Sequence, residues 1–373
     1  MENTIKVIIT SKKNLEAKYT SDFSTIEELI AALVKSDLKR KIQTEIIYID
    51  NADSARKAGI KPVSSVTRLT AKRAVDAIYE KLKPAYTVLL GAQDVFPFQE
   101  IKNPASDDDV TVPTDLPYAC NAPYSTNISK FTGPTRVVGR IPDIPGKADI
   151  QYLTHVINAV INFKNKKEEE MADYFSVTAA VWEKSTRQSL VNIFGNSQNM
   201  LKSPPAKAGF NPEDLKAPVH FFNCHGAPVD ARYYGQQGNK FPPAFSSADL
   251  AVKTQGGVVV AAECCYGAQL YDPASEDANL MSIANAYFKD NAVAFVGSSN
   301  IAYGPAESQG LADLITQYFI RNILDGSSCG RAMLEARHKF FVCKWSATRS
   351  LRTENTGAIL FTRRSFHSSR DNR

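Results

Sequence analysis

Two short segments of the chain carry side chains able to do covalent chemistry. One reads Val219-His-Phe-Phe-Asn-Cys-His225-Gly226, the other Gly257-Val-Val-Val-Ala-Ala-Glu-Cys-Cys265-Tyr-Gly-Ala. Each is an apolar run that closes on a reactive group. A thiolate is a strong nucleophile, but a free thiol is mostly protonated near neutral pH. An imidazole within reach can take that proton and later pass it to a leaving amine. His225 and Cys265 are therefore the candidate pair. Gly226 puts no side chain between its backbone and an incoming carbonyl, and it tolerates dihedrals that other residues avoid. The N–H groups of Gly226 and Cys265 could together stabilise an oxyanion.

Plainer readings stand beside this one. A histidine at a strand end is often a satisfied core or surface residue, and cysteine is commonly buried as a small hydrophobe. A metal site is the sharper competitor, because His220, Cys224, His225, Cys264 and Cys265 include zinc-ligand types. However, His220 and Cys224 fall within a strand, and the paired C-x2-C spacing of structural zinc sites is absent. Metal ligands thus remain unknown. The six cysteines are scattered over 373 residues, which argues against a disulfide framework. The neighbours Cys264 and Cys265 would point to opposite sides of a strand end.

For a His and a Cys that are 40 positions apart to meet, a sheet must bring two strand ends together. In parallel α/β sheets, sites form where loops open a crevice at the carboxyl ends of strands. Short runs rich in β-branched residues predict strands at 5–10, 45–49, 86–90, 175–181, 219–223, 257–262 and 292–296, with a weaker one at 358–362. Helical spacing predicts helices at 24–35, 66–82, 147–163, 277–288, 308–324 and 329–342. Alternation of the two indicates an α/β fold with a largely parallel sheet. Residues 103–134, rich in Pro, Asp, Asn and Thr, read as a long irregular connection, and such loops are often functional. Shorter loops are expected at 211–214 and 236–243. The polar run 164–170 marks a subdomain boundary.

Composition is that of an ordinary globular chain, with 43% hydrophobic and 22% charged residues. A net charge of +5, with its longest basic run at 363–373, implies no nucleic-acid partner. No stretch approaches the roughly 20 apolar residues of a membrane span. The N-terminus lacks the apolar core of a signal peptide, so a cytoplasmic location is expected.

A hydrophobic strand ending in His-Gly, followed by one ending in Cys, resembles the caspase-like cysteine peptidases. Within them the chain is most similar to the gingipain-type peptidases. Cys264-Cys265 followed by Tyr-Gly-Ala-Gln-Leu-Tyr-Asp resembles their nucleophile segment, in which the second Cys attacks. Val88-Leu-Leu-Gly-Ala-Gln-Asp-Val-Phe-Pro97, Thr114-Asp-Leu-Pro-Tyr118, Val138-Gly-Arg-Ile141 and Ala294-Phe-Val-Gly-Ser-Ser299 resemble further segments of that family, the last lining its specificity pocket. The likeness runs from about residue 86 to 317. It implies a caspase-like doubly wound sheet in two adjacent α/β subdomains, residues 1–168 and a catalytic 169–373. It implies cysteine-type endopeptidase activity on a protein or peptide substrate. Cys265 would be the nucleophile, His225 the proton carrier, and Asp143 the acid that orients the histidine. Ser298, Ser299, Asn300 and Tyr303 would shape the pocket. No cofactor is required, although a structural calcium could be present. Near the place of the family's acid for basic side chains stands Thr154-His155, so the residue preferred before the cut stays open. The alternatives are a non-catalytic interaction module on the same fold and a structural metal-binding protein.

Overall fold

The computed structural model describes residues 4–105, 107–250, 254–347 and 359–361, so the basic run 363–373 lies outside the described residues. The chain is a mixed α/β structure with two mainly parallel sheets. β1 (Thr4–Thr10) leads through α1 (Lys12–Tyr19) and α2 (Phe23–Lys39) to β2 (Ile42–Tyr48). Then α3 (Ala52–Lys57) and α4 (Arg68–Leu82) lead to β3 (Tyr86–Leu90). A hairpin of β4 (Gln99–Lys102) and β5 (Thr111–Thr114) precedes β6 (Val138–Ile141), which completes a parallel sheet ordered β2-β1-β3-β6.

α5 (Ile150–Asn162) connects to the second sheet. There follow β7 (Tyr174–Ala179), α6 (Glu183–Phe194), β8 (Met200–Ser203) and β9 (Val219–Asn223). A small antiparallel ribbon comes next: β10 (His225–Gly226), β11 (Arg232–Tyr234) and β12 (Pro243–Ser246). The chain then returns as β13 (Val259–Ala262), α7 (Ile283–Lys289), β14 (Ala294–Gly297), α8 (Leu311–Leu324), α9 (Cys329–Ala347) and β15 (Ile359–Phe361). The sheet order is β15-β14-β13-β9-β7-β8, parallel except for β15, which pairs antiparallel with β14 and lies alongside β6 of the first sheet.

The central strands are apolar on both faces because both faces are covered. Val219, Phe221, Val259 and Ala261 join one core with Phe319 and Ile320 of α8 and Ala332 and Met333 of α9. The alternate residues Phe222, Val260 and Ala262 join another, with Leu153 and Val156 of α5 and Tyr287 of α7. That second core continues into the first sheet through Ile8, Val88 and Leu90. Helix α5 earns its place through a stripe of Tyr152, Leu153, Val156, Ile157 and Val160, capped where Asp149 Oδ1 accepts from Tyr152 N at 2.9 Å. No helix among the described residues is long and apolar enough to cross a membrane.

The predicted strands 86–90 and 219–223 coincide with β3 and β9, and the other predicted strands match to within a few residues. The predicted helix 277–288 begins later, at Ile283. The Glu276 carboxylate accepts from the N–H groups of Ala278 and Leu280 and holds that stretch as a turn. The connection 103–134 is less irregular than expected, because its start closes the β4–β5 hairpin. Helices α1, α3 and α6 were not expected from periodicity. In α1 only Leu15 and Tyr19 are buried, and its start is fixed by Ser11 Oγ accepting from Asn14 N at 3.1 Å.

One buried charge pair ties the hairpin region to the first sheet. Arg140 of β6, fully buried, donates through Nε and Nη2 to the two oxygens of Asp115 at 2.8 and 2.6 Å. Its Nη1 donates to the carbonyls of Gly91 at 2.6 Å and Phe96 at 2.7 Å. Four of its five N–H groups are bonded and all three nitrogens are engaged, which is how a buried guanidinium is tolerated. Asp115→Ala leaves that cation unpaired and should destabilise the fold by about 3–5 kcal/mol. The check is a lowered denaturant midpoint at unchanged slope; a midpoint within error of wild type would show that the pair does not hold this region.

Candidate active site

The register of β9 and β13 decides what meets at the sheet edge. Phe222 lies opposite Ala262, and Glu263 N donates to the Phe222 carbonyl at 2.8 Å. His225 and Cys265 each stand three residues beyond that pair. The ladder ends there, and both residues lie in the segments that continue from the carboxyl ends of these two neighbouring strands. The two chain segments touch at Gly226, where a Cβ would lie 1.9 Å from the Cys265 carbonyl oxygen. The need for glycine at 226 therefore arises from the packing of one strand end on the other, rather than from room left for a substrate.

His225 is half-buried on the ribbon, paired with Tyr234 across β10 and β11. Its Nε2 lies 2.7 Å from Gln236 Oε1. The Trp182 ring, at the turn after β7, lies 4.4 Å from it between centroids, and Phe241 meets it edge-on at 5.0 Å. Burial pushes the imidazole below its usual range, and the Gln236 bond partly opposes this.

Cys265 is half-buried, while Cys264 beside it is fully buried, as expected for neighbours on opposite sides. Tyr266 follows in the left-handed region at φ 54°, a conformation that costs a non-glycine residue about 1 kcal/mol or more. It is held there by its N–H donating to Asn300 O at 2.8 Å and its hydroxyl donating to Asp109 Oδ1 at 2.8 Å. The Cys265 thiol donates to Ala302 O at 3.5 Å and accepts from Ala302 N at 3.3 Å. Burial pushes it up; the Ala302 amide and its own amide oppose this, and the Asp109 and Asp107 carboxylates add to it. Among the described residues neither His225 nor Cys265 is hydrogen-bonded to the other. With the thiol held up and the imidazole held down, the resting pair is neutral.

The predicted pocket residues follow the carboxyl end of β14, the strand beside β13. Their side chains are engaged within the protein. Ser298 Oγ donates to Asn300 Oδ1 at 3.2 Å, Ser299 Oγ donates to Pro113 O at 2.5 Å, and the Tyr303 hydroxyl donates to Asp107. Asp109 Oδ2 also accepts from Ile301 N at 3.0 Å. Residues 107–113 thus form a strap that ties the 298–303 loop down over the thiol. Ser299 also borders a cavity of about 330 Å³ with Gln93, Phe98, Ala268 and Leu270.

Asp143 does not reach His225. Its carboxylate accepts from Tyr19 Oη at 2.8 Å, from Ala92 N at 2.5 Å and from Lys18 Nζ at 2.7 Å, all in the N-terminal half, and it is fully buried. The partner on the histidine is Gln236 instead. His220 is buried against Tyr287 Oη at 2.6 Å, and burial takes its imidazole down to about 3. No group of three or more His, Cys, Asp or Glu side chains among the described residues is placed to hold a metal. Sequence reasoning missed Gln236, Trp182, Phe241, Ala302 and the two strap aspartates. Only the run Asp107-Asp108-Asp109, in a long connection, gave a signal that could have been followed.

No family model matches this chain, and no curated protein does either. Among solved structures, 11 chains match it. One of them, described as "Structure of Protease", superposes with a TM-score of 0.56, covering 95% of this chain and 75% of its own length at 13% identity. At that identity the likeness speaks for the fold alone, which is a protease-like α/β fold.

The strap charges give a measurable handle. Asp109→Asn removes a carboxylate that disfavours the thiolate and weakens the hold on Ile301. Cys265 should then react with iodoacetamide through a midpoint at lower pH than in wild type. An unmoved midpoint would mean that the strap carboxylate does not act on the thiol.

Proposed function

We propose that the chain is a cysteine-type endopeptidase of the caspase-like kind, most like the gingipain-type peptidases. In this reading its caspase-like doubly wound sheet spans two α/β halves, residues 1–168 and 169–373, and its partner is a protein or peptide chain. The observation that carries the reading is that the segments bearing a half-buried His225 and a half-buried Cys265 follow two neighbouring parallel strands, β9 and β13, at one carboxyl sheet edge. Both sit on a protease-like α/β fold.

In this reaction the Cys265 thiol gives its proton to the His225 ring, and the sulfur attacks the carbonyl carbon of the peptide. A C–S bond forms, and the carbonyl electrons move to oxygen, where the Gly226 and Cys265 amides stabilise them. The electrons return, the C–N bond breaks, and the imidazolium protonates the departing amine. Water, deprotonated by His225, then cleaves the thioester and restores the thiol. The neutral resting pair makes His225 a general base at the moment of attack, not half of a standing ion pair. Substrate must also draw the thiol away from Ala302, and Ser298, Ser299, Asn300 and Tyr303 are the loop through which it would do so.

One observation favours a second reading, the non-catalytic module on the same fold. The thiol is bonded both ways to the Ala302 backbone and not to His225. The two readings part on turnover. A fluorogenic peptide library, varied at the residue before the cut, should be hydrolysed by wild type and by Cys264→Ala. Cys265→Ala and His225→Ala should lose on the order of 10³-fold or more in kcat/KM. Equal hydrolysis by Cys265→Ala, or none by any protein, sinks the peptidase reading.

A further inference from the structure

We propose that Gln236 is the positioning residue of His225: by accepting the Nε2–H it leaves Nδ1 as the nitrogen that receives the Cys265 proton. The inference rests on the peptidase reading above, but its first test does not. The direction of the Gln236 amide is set by its own second bond. Its Nε2 donates to Gly238 O at 3.0 Å, which turns Oε1 toward the imidazole, 2.7 Å away. An amide oxygen can only accept, so the ring nitrogen facing it carries the proton. Neutral imidazole has one N–H, and Nδ1 is then the basic site.

The bond is held by a built support. Gln236 N donates to Ser203 O at 3.2 Å, at the end of β8. Gly235 packs so closely on the same residue that a Cβ there would lie 2.4 Å from Ser203 O. The turn beyond is closed by Gln237 and Lys240, whose N–H groups donate to each other's carbonyls at 3.0 and 3.1 Å. Trp182 lies against the imidazole and Phe241 closes its side. The ion pairs on these elements engage other partners. Glu183, next to Trp182, pairs with Arg187 and Lys202, while Asp230 and Arg232 pair with each other. Lys240, beside Phe241, makes no hydrogen bond to the ring. A neutral acceptor thus orients His225 where a carboxylate was expected, and it does so without adding charge.

The test combines a tautomer readout with kinetics. Long-range ¹H–¹⁵N correlation spectra of ¹⁵N-histidine-labelled protein, with His225 assigned from the His225→Asn spectrum, should show its neutral form protonated on Nε2. Gln236→Leu should abolish that preference and lower kcat about 10–100-fold, with KM little changed. Gln236→Glu should restore much of kcat. Its carboxylate favours imidazolium, so the acid limb of kcat/KM should move to higher pH; a merely structural role would not move it. A wild-type Nδ1–H tautomer, or a Gln236→Leu protein with unchanged tautomer and pH profile, overturns the inference. Because the spectra need no turnover, an inactive protein with an Nε2–H His225 tells against the peptidase reading alone.

Discussion

The parallel pairing of β9 with β13 is the constraint on which the site depends. With Phe222 opposite Ala262, the two strands end side by side, and the segments that carry His225 and Cys265 leave the sheet at the same edge. A slip of one residue would turn each side chain to the other face of the sheet. It would break the alternation that lets Phe221 and Phe222 serve different cores. The contact between Gly226 and the Cys265 carbonyl fixes the same register from outside the ladder. The apolar strand residues that build the cores thus also set which two chain segments share that edge.

Around that edge the protein arranges its charges to hold the pair neutral. Burial acts on both groups and drives each toward its uncharged form. The strap aspartates add to this on the thiol, and the amide of Gln236 orients the imidazole without supplying a counter-charge. Deeper still, Glu263 lies buried two residues before Cys265; burial and then the neighbouring Asp313 push its carboxyl well up. The left-handed turn at Tyr266, bonded at both ends, presents the thiol toward the 298–303 loop.

The strands β3 and β9, and the places of His225 and Cys265 just beyond the ends of β9 and β13, were legible in the sequence, because buried parallel strands are short apolar runs and their ends are marked by polar residues. Helices α1 and α6 were not. α1 buries only two side chains, and in α6 the inward positions Ser185, Thr186 and Ser189 are polar, so hydrophobic period gave no signal. Asp143 was the expected orienting acid, and its neighbourhood shows why spacing misled. It follows β6 of the first sheet and is bonded to Lys18, Tyr19 and Ala92, partners set by the packing of α1 on that sheet. Gln236 could not be read from sequence, because its role depends on a ribbon folding back over His225.

A single measurement separates this chemistry from a coincidence of two half-buried side chains: the pH dependence of covalent modification by a peptidyl acyloxymethyl ketone, with the adduct located by peptide mapping. In wild type the adduct should fall on Cys265, and the rate should rise through a limb at or below the usual histidine range, as neutral His225 becomes available. In His225→Ala that limb should vanish and leave only a slow alkaline rise from the thiol itself. Identical pH profiles in the two proteins, or an adduct on another cysteine, would contradict a Cys265–His225 pair.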